Sequence, residues 1–297
     1  MQQETVGFVG VGLMGHGMAK NILAAGYPLT VEAHSNRAPV DDLVARGASE
    51  AASLADLAAA SSIIHICAPG SPQVETIVAA LMPALQPETV IVDCSTSDPG
   101  STAALAARLE AAGFHMADAP LGGTPVQAEA GELATMVGAS EAVFDRLSPV
   151  LGSWAKAVVH LGACGAGHKM KLLNNFLSLG YAALYAEALA LSEKVGITTQ
   201  QFDSVVRGSR MDCGFYQTFM GYAVEGNREA HKFTLTNALK DLRYLEAMAD
   251  GVSLANPIGN AVKNSFALAH AGGGSGSEDY VPHLVDYVAT QNGVKKG

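Results

Sequence analysis

Near the start of the sequence, Thr5-Val6-Gly7-Phe8-Val9-Gly10-Val11-Gly12-Leu13-Met14-Gly15 joins a short apolar strand directly to the glycine pattern G-x-G-x-x-G. An apolar repeat with helical spacing follows, so the glycines lie between a predicted strand and a predicted helix. This order suits a dinucleotide pyrophosphate: Gly10 permits a tight turn, Gly12 lets the backbone approach the phosphates, and Gly15 lets the helix pack closely on the strand. The start of the helix also offers N–H groups and a positive dipole end to the anion. The predicted pyrophosphate contacts are Gly10, Gly12, Leu13, Met14 and Gly15.

Length and composition limit the class of protein. A chain of 297 residues is longer than a single core usually grows, so two domains are expected. Hydrophobic residues make up 49% and charged residues 15% of the chain, which excludes disorder. The 18 basic and 28 acidic residues show no basic stripe, so no nucleic-acid partner is expected. The longest apolar stretch, 176–191, is interrupted by Ser178 and Glu187 and predicts a buried helix, not a membrane span.

The cysteines indicate the redox environment. Cys67, Cys94, Cys164 and Cys213 are widely separated and form no C-x-x-C pair, so neither a metal site nor a disulfide framework is predicted. Reduced thiols fit a cytoplasmic location best. The opening Met-Gln-Gln-Glu has no basic region, so no signal peptide is expected.

Short apolar strands alternate with helical patterns from residue 5 to about residue 161. After the first strand, the predicted strands are 29–33, 63–67, 90–94, 115–118, 133–137 and 157–161. The predicted helices between them are 40–46, 54–60, 73–81, 101–112 and 141–151. This alternation predicts an α/β, mostly parallel, doubly wound sheet of the Rossmann type. Ligands bind beyond the carboxyl ends of such strands, so the loops after Cys67, Cys94 and Asp118 are candidate sites.

The pattern changes after Gly167. Residues 168–195 contain no proline and many alanines and leucines, which predicts one long interdomain helix over about 167–195. The remaining sequence has helical periodicity, and only 272–277 is loop-like. We therefore predict a dinucleotide-binding domain over 1–163 and an all-helical substrate and dimerisation domain over 164–297.

Four polar residues near the start of the long helix share one predicted face. Asn174, Asn175 and Ser178 follow Lys171 by three, four and seven positions, which is the spacing of one helical face. A solvated polar stripe is one interpretation. The other is a catalytic face, because a lysine whose pKa is lowered in a closed cleft could exchange a hydroxyl proton while the amides hold the substrate oxygen. The adjacent glycine-rich hinge favours the catalytic interpretation.

Five motifs follow one another along nearly the whole chain. They are Gly10-x-Gly12-x-x-Gly15, Asp93-Cys94-Ser95-Thr96, Asp118-Ala119-Pro120-Leu121-Gly122-Gly123-Thr124, Gly165-x-Gly167-x-x-x-Lys171-x-x-Asn174-Asn175 and Lys240-Asp241-Leu242. In order and spacing they resemble the β-hydroxyacid dehydrogenases related to 3-hydroxyisobutyrate dehydrogenase. The resemblance implies hydride transfer between a nicotinamide cofactor and a small 3-hydroxy acid or its semialdehyde. It also implies homodimers or homotetramers built through the all-helical domain.

The resemblance also implies roles for single positions. Lys171 would be the catalytic acid/base, and Asn175 would orient both the substrate hydroxyl and the lysine. A backbone loop would hold the acid group of the substrate, and with the polar helix face the predicted substrate residues are Gly122, Gly123, Thr124, Asn174 and Ser178. The cofactor would be flanked by Ala68, Pro69, Val74 and Thr96, with Lys240 closing over it.

The candidate substrate loop departs from the 3-hydroxyisobutyrate branch of this family. That branch usually has serine at the position of Gly122 and glycine at the position of Thr124. The Gly-x-Thr version resembles the branch that contains sulfolactaldehyde and succinic semialdehyde reductases. Sulfolactaldehyde reductases carry an arginine at the position of Gly123, so the missing cation favours a carboxylate over a sulfonate substrate.

The end of the second predicted strand bears on the choice between NADP and NAD. NAD sites place an acid there, whereas NADP sites place an arginine with small polar groups. Ala33 occupies the aligned acid position, and Ser35-Asn36-Arg37 can form a phosphate nest, which favours NADP with Asn36 and Arg37 as contacts. Two interpretations stay open. Arg37 could be an ordinary surface residue, and a longer strand would bring Glu32 to the acid position for NAD.

Three further side chains have structural interpretations. His65 lies in an apolar strand, which predicts a hydrogen-bonded core histidine. His168 could border the cleft or be solvated. Asp118 is expected to close a strand end, without a catalytic role.

Two alternative functions remain on the same fold. Imine reductases share the architecture but usually replace the lysine with Asp or Tyr, so Lys171 argues against that activity. A catalytically silent cofactor-binding scaffold would have no need of Lys171 with Asn175.

Overall fold

The structure is a computed structural model that describes residues 3–34 and 36–294. Its strands are β1 (Val6–Val9), β2 (Leu29–Glu32), β3 (Ser49–Ala51), β4 (Ile63–Ile66), β5 (Val90–Asp93), β6 (His115–Asp118), β7 (Leu121–Gly122), β8 (Leu133–Val137) and β9 (Ala155–His160). Its α-helices are α1 (Gly15–Ala24), α2 (Ala38–Ala45), α3 (Leu54–Ala59), α4 (Ser71–Leu81), α5 (Pro99–Ala111), α6 (Pro125–Ala130), α7 (Glu141–Trp154), α8 (Ala166–Lys194), α9 (Thr199–Val206), α10 (Gly214–Ala223), α11 (Leu235–Gly251), α12 (Pro257–Ala271) and α13 (Leu284–Gln291).

The chain divides into two compact units. The N-terminal unit is Met1–Lys171 and the C-terminal unit is Leu172–Gly297, so the division falls inside α8. The sequence places the domain boundary just before that helix, and this boundary stays a prediction.

The N-terminal unit is built on a parallel six-stranded sheet in the order β3-β2-β1-β4-β5-β6. The strand order reverses at β1, which has β2 on one side and β4 on the other. This topology confirms the predicted doubly wound α/β sheet. Ligands bind such sheets where the order reverses, and the glycine-rich turn after Val9 lies at that point.

Apolar side chains of the central strands pack on both faces of this sheet. In β5, Val90 and Val92 belong to the same core as Phe8, whereas Ile91 belongs to the core that contains Ile64. A strand buried on both faces has no polar alternation. This is why the sequence shows continuous apolar runs at these positions.

A smaller sheet follows the main one in the N-terminal unit. It has the order β7-β8-β9, with β7 antiparallel and β9 parallel to β8. An isolated bridge between Asp118 and Gly138 connects the end of β6 to the residue after β8. The smaller sheet therefore continues directly from the carboxyl end of the last strand of the main sheet.

The C-terminal unit is helical in the part that the structure describes. Its core contains the fully buried side chains of Tyr216, Phe219 and Phe266. Where α8 faces this core it carries small residues such as Ala182 and Ala186, which let neighbouring helices pack closely. No helix among the described residues is both long enough and apolar enough to cross a membrane.

Several short elements are missing from the sequence prediction. Ser49–Ala51 and Leu121–Gly122 are too short to show a strand period, and Pro125–Ala130 follows a glycine pair that predicts a loop. The prediction that only 272–277 is loop-like in the second half is wrong, because 207–213 and 224–234 also separate helices. Helical periodicity on either side of these segments conceals the breaks.

Candidate active site

The glycine-rich turn has the geometry of an anion cradle. Gly10 adopts φ +93°, and a Cβ there would overlap the carbonyl oxygen of Cys67. A Cβ on Gly15 would overlap the carbonyl oxygen of Gly10, so α1 packs directly on the turn. Gly12 has nothing within 4 Å of its Cβ position, and Met14 makes no side-chain cap to the first N–H groups of α1. These residues fit a dinucleotide pyrophosphate, and the exposed Leu13 borders the same turn.

An ion-pair cluster follows the carboxyl end of β2. Arg37 donates from Nη1 to Glu50 Oε1 at 2.9 Å, and from Nη2 to Glu50 Oε2 at 3.0 Å and Asp41 Oδ1 at 3.1 Å. The two hydrogen bonds from Arg37 to Glu50 lower the pKa of the Glu50 carboxyl group. Asn36 Oδ1 accepts from the Ala38 N–H at 3.2 Å, at the start of α2. Ser35 lies outside the described residues.

The loops after β4 and β5 are joined to each other. The Ala68 N–H donates to Ser95 Oγ at 2.9 Å, next to the exposed Pro69 and the half-buried Thr96. Val74 differs from its predicted neighbours. Its side chain is fully buried in the apolar core under α4, and its place among the cofactor residues stays a prediction.

The candidate substrate loop, Gly122-Gly123-Thr124, leads directly into α6. Thr124 caps that helix in a capping box, in which Gln127 Oε1 accepts from the Thr124 N–H at 2.9 Å. Gly123 adopts φ +128°, and a Cβ there would lie 2.9 Å from Gln127 Oε1 and 2.9 Å from Leu133 Cδ2. The loop conformation therefore requires glycine at position 123.

The helix after this loop is fixed to α1, the helix that follows the glycine-rich turn. Gly17 lies so close to α6 that a Cβ would contact the Ala128 backbone at 2.5 Å. Asn21 Nδ2 donates to the Ala128 carbonyl at 3.0 Å, and His16 Nδ1 lies 2.7 Å from Glu129 Oε1. The candidate substrate loop and the cofactor turn thus adjoin two helices in direct contact.

Asp118 fixes the first turn of α8 to the end of β6. Its carboxylate accepts the N–H of Gly165 at 2.5 Å and the N–H of His168 at 2.6 Å. A Cβ on Gly167 would overlap the Met136 carbonyl oxygen and lie 2.8 Å from Asp118 Oδ2. Asp118 therefore does more than close a strand, because it caps the start of the helix that carries Lys171.

His168 is fully buried, so the expectation that it borders a cleft or is solvated is wrong. Its Nδ1 lies 2.8 Å from Thr102 Oγ1, and its Nε2 lies 3.1 Å from the Ser95 carbonyl oxygen. Carboxylate oxygens of Asp93 and Asp118 lie 3.7 Å from Nε2 and Nδ1 respectively. We call His168, Asp93 and Asp118 the polar junction. It attaches the start of α8 to the ends of β5 and β6.

Lys171 and Asn175 lie one turn apart on α8. Lys171 is partly buried, and Asn175, only 5% exposed, donates from Nδ2 to Asp241 Oδ2 at 2.7 Å. Lys240 Nζ lies 2.9 Å from the other oxygen of Asp241. Within the C-terminal unit, one buried carboxylate thus contacts two of the predicted site residues.

The other two residues of the predicted polar face differ from this pair. Asn174 is exposed, and Ser178 Oγ donates to the Asn175 carbonyl at 3.2 Å on the same helix. Helical spacing alone cannot distinguish a buried amide from an exposed one beside it.

Sequence reasoning missed the supporting roles of Asp118, His168 and Asp241. Asp118 and Asp241 stand inside the quoted motifs, but their contacts lie far away along the chain. A polar residue at the end of a buried strand or inside a buried helix face is the signal that could have found them.

Two family models cover most of the chain. Residues 5–162 match the NAD binding domain of 6-phosphogluconate dehydrogenase, and residues 165–283 match a model described as NAD-binding of NADP-dependent 3-hydroxyisobutyrate dehydrogenase. The chain belongs to the β-hydroxyacid dehydrogenase family. It is therefore an NAD(P)-dependent oxidoreductase that acts on CH–OH groups.

Sequence relatives and a solved structure support this family membership. The chain is 40% identical to 2-(hydroxymethyl)glutarate dehydrogenase of Eubacterium barkeri over 205 residues, which are 68% of this chain and 67% of that one. It is 30% identical to 3-sulfolactaldehyde reductase of Escherichia coli K12 over 278 residues, 93% of each chain. Its fold is similar to a structure of Mycobacterium tuberculosis 3-hydroxyisobutyrate dehydrogenase with L-serine, with a TM-score of 0.85, 25% identity, and coverage of 96% of this chain and 99% of that one.

Proposed function

We propose that this family member interconverts a small 3-hydroxy acid and its semialdehyde, with Lys171 as the acid/base and Asn175 orienting the reacting oxygen. The observation that carries the proposal is the fixed start of α8. Asp118 caps this helix at the end of β6 and stands four residues before Gly122, where the candidate substrate loop begins. The buried carboxylate of Asp118 therefore anchors the start of the helix that carries Lys171, and the candidate substrate loop follows Asp118 closely in the sequence.

The chain's residues have separate tasks in this proposal. A bound nicotinamide supplies or accepts the hydride. Lys171 gives a proton to the carbonyl oxygen during reduction, or takes it from the hydroxyl during oxidation. Asn175 holds that oxygen, and the Asp241 carboxylate fixes the orientation of its amide.

A carboxylate is the acid group that the loop best accommodates. Backbone N–H groups of Gly122 and Gly123 would donate to it, whereas the Thr124 N–H already donates to Gln127 Oε1 in the capping box. Gly123 adopts φ +128°, which residues with a Cβ rarely adopt, so an arginine that could bind a sulfonate would require a change of the loop at this position. The relative named 3-sulfolactaldehyde reductase therefore does not determine the substrate of this chain.

NADP is the cofactor that we propose, with NAD as the alternative. Arg37 stands five residues after the end of β2 with its side chain 56% exposed, and Asn36 precedes it, so a 2′-phosphate could bind there. Ala68, Pro69, Val74, Thr96 and Lys240 complete the proposed cofactor set. In this proposal no metal ion takes part.

A substrate panel tests the reaction class. We expect turnover of at least one of 3-hydroxyisobutyrate, 3-hydroxypropionate, 4-hydroxybutyrate, 2-(hydroxymethyl)glutarate, serine and glycerate with NADP or NAD, measured by the absorbance of the reduced nicotinamide. Turnover of a cyclic imine but of none of these acids would favour an imine reductase. Dinucleotide binding without any turnover would favour a silent scaffold.

We also propose a homo-oligomer assembled through the C-terminal unit. On α8, Leu173, Leu177, Leu184 and Leu191 are 45%, 58%, 63% and 64% exposed, and their spacing places them in one stripe along the helix. A groove of about 530 Å³ adjoins the stripe, between Leu184, Leu191 and Leu268. A stripe repeated along one helix is self-complementary about a twofold axis, so a second copy of this chain is the occupant that fits it.

Charge placed on the stripe tests this assembly. We expect Leu184→Glu with Leu191→Glu to lower the mass measured by sedimentation equilibrium, because two carboxylates cannot be buried between copies. Leu254→Glu is the matched control, because Leu254 is an equally exposed leucine in the connection between α11 and α12, away from the stripe. A wild-type chain that sediments as a monomer would contradict the proposal.

The four cysteines carry no disulfide in the structure. This agrees with the cytoplasmic location that we propose.

A further inference from the structure

The cluster around Arg37 has a geometry that bears on dinucleotide choice. Glu50 belongs to β3, and the sheet register places it beside Val31 of β2. From there its two oxygens accept hydrogen bonds from both terminal nitrogens of Arg37, at 2.9 and 3.0 Å. Asp41 accepts a third at 3.1 Å from one turn further along the chain.

The hydrogen bonds to Glu50 occupy the two terminal nitrogens of Arg37, which are the groups that would bind a phosphate. A guanidinium binds a carboxylate or a phosphate through the same two parallel N–H groups. Glu50 is already bound in that paired manner. The cluster also contains two carboxylates for one guanidinium, so its charge would oppose an arriving phosphate dianion.

We propose that Glu50 is a specificity-determining residue, which competes with the 2′-phosphate of NADP for the guanidinium of Arg37. NADP binds only after Arg37 has turned away from Glu50 or shares its N–H groups with the phosphate. NAD has no 2′-phosphate, so it does not encounter this competition. The inference rests on the proposed dinucleotide site. Glu50, on the neighbouring strand β3, would then limit how much more tightly the protein binds NADP than NAD.

Dinucleotide binding tests the inference without any need for the substrate. Dissociation constants for NADPH and NADH are measured by nicotinamide fluorescence at one fixed ionic strength, because charge–charge contacts at exposed sites depend on salt. Four proteins are compared: the wild type, Glu50→Gln, Glu50→Gln with Arg37→Gln, and Glu132→Gln. Glu132 is the matched control, since it too is an exposed glutamate in an ion pair, with Lys156 at 3.4 Å.

We expect Glu50→Gln to tighten NADPH binding by about fivefold or more while NADH changes by less than about twofold. The added Arg37→Gln change should remove that gain, and Glu132→Gln should alter neither constant. An unchanged ratio of the two constants in Glu50→Gln would overturn the inference while the dinucleotide site stands. A wild type that binds neither dinucleotide would overturn the proposed site and the inference together.

Discussion

Two buried histidines of the N-terminal unit, His65 and His168, have opposite surroundings. Both side chains are fully buried. The ring nitrogens of His168 lie within 3.1 Å of Thr102 and Ser95 oxygens, in the polar junction. Among the described residues His65 has no hydrogen-bond partner at either nitrogen, and its ring stacks on Phe8 at a centroid distance of 5.6 Å. The expectation of a hydrogen-bonded His65 is therefore wrong.

The difference follows from where each histidine lies relative to the strands. His65 is in the middle of β4, where helices cover both faces of the sheet and burial lowers its pKa to about 3. His168 lies beyond the ends of β5 and β6, where strands stop and backbone and side-chain oxygens are available. The polar chemistry of this unit is thus concentrated at the carboxyl ends of the strands, beside the proposed site.

The largest effect on the free energy of unfolding should come from breaking the polar junction. In Gly167→Ala the added Cβ overlaps the Met136 carbonyl oxygen, so the start of α8 must move away from Asp118. We expect the free energy of unfolding to fall by about 2 to 3 kcal/mol, as for other overpacked buried sites. Urea unfolding followed by the fluorescence of Trp154, the only tryptophan, measures this value in the same unit.

Gly152→Ala is the control for that experiment. Gly152 lies inside α7 with nothing within 4 Å of its Cβ position, so alanine should leave stability unchanged or raise it by up to about 1 kcal/mol. Equal behaviour of the two variants would show that the start of α8 is not held tightly.

A smaller, pH-dependent effect should distinguish His65 from His168. The pKa of His65 is about 3 in the folded state, and the ordinary pKa of histidine is 6.5. Between these two pH values the imidazole is protonated in the unfolded chain but neutral in the folded chain. Stability is therefore lost as the pH falls, by about 2 kcal/mol between pH 6.5 and 5.

His65→Leu should remove that part of the pH dependence, since leucine is similar in size and cannot titrate. The measurement is urea unfolding at pH 5 to 7.5 in both proteins. A wild-type slope that persists in His65→Leu would mean that His65 keeps its proton affinity in the folded chain.

The parts of the fold that the sequence predicts are those set by local patterns. The turn from Gly10 to Gly15 and the apolar runs of the sheet follow from backbone sterics and burial over a few residues. The same reasoning places Lys171 and Asn175 one turn apart. Apolar burial does not reveal whether a buried polar group finds a partner, which is why His65 and His168 were both misjudged.

Contacts between distant parts of the chain escape such patterns. Asp118 accepts from His168, 50 positions away, and Asp241 accepts from Asn175, 66 positions away. The supporting contacts of the candidate site therefore required the structure.

The most direct test of the account is the rate of hydride transfer in Lys171→Ala under single-turnover conditions with saturating cofactor, using the fastest acid of the panel. We predict a rate about 10² to 10⁴ times lower than in the wild type, with the NADPH dissociation constant unchanged within about twofold, because only the proton transfer is lost. Lys169→Ala, at an exposed lysine in the first turn of the same helix, should leave both values unchanged. Hydride transfer at the wild-type rate in Lys171→Ala would contradict the assignment of the acid/base.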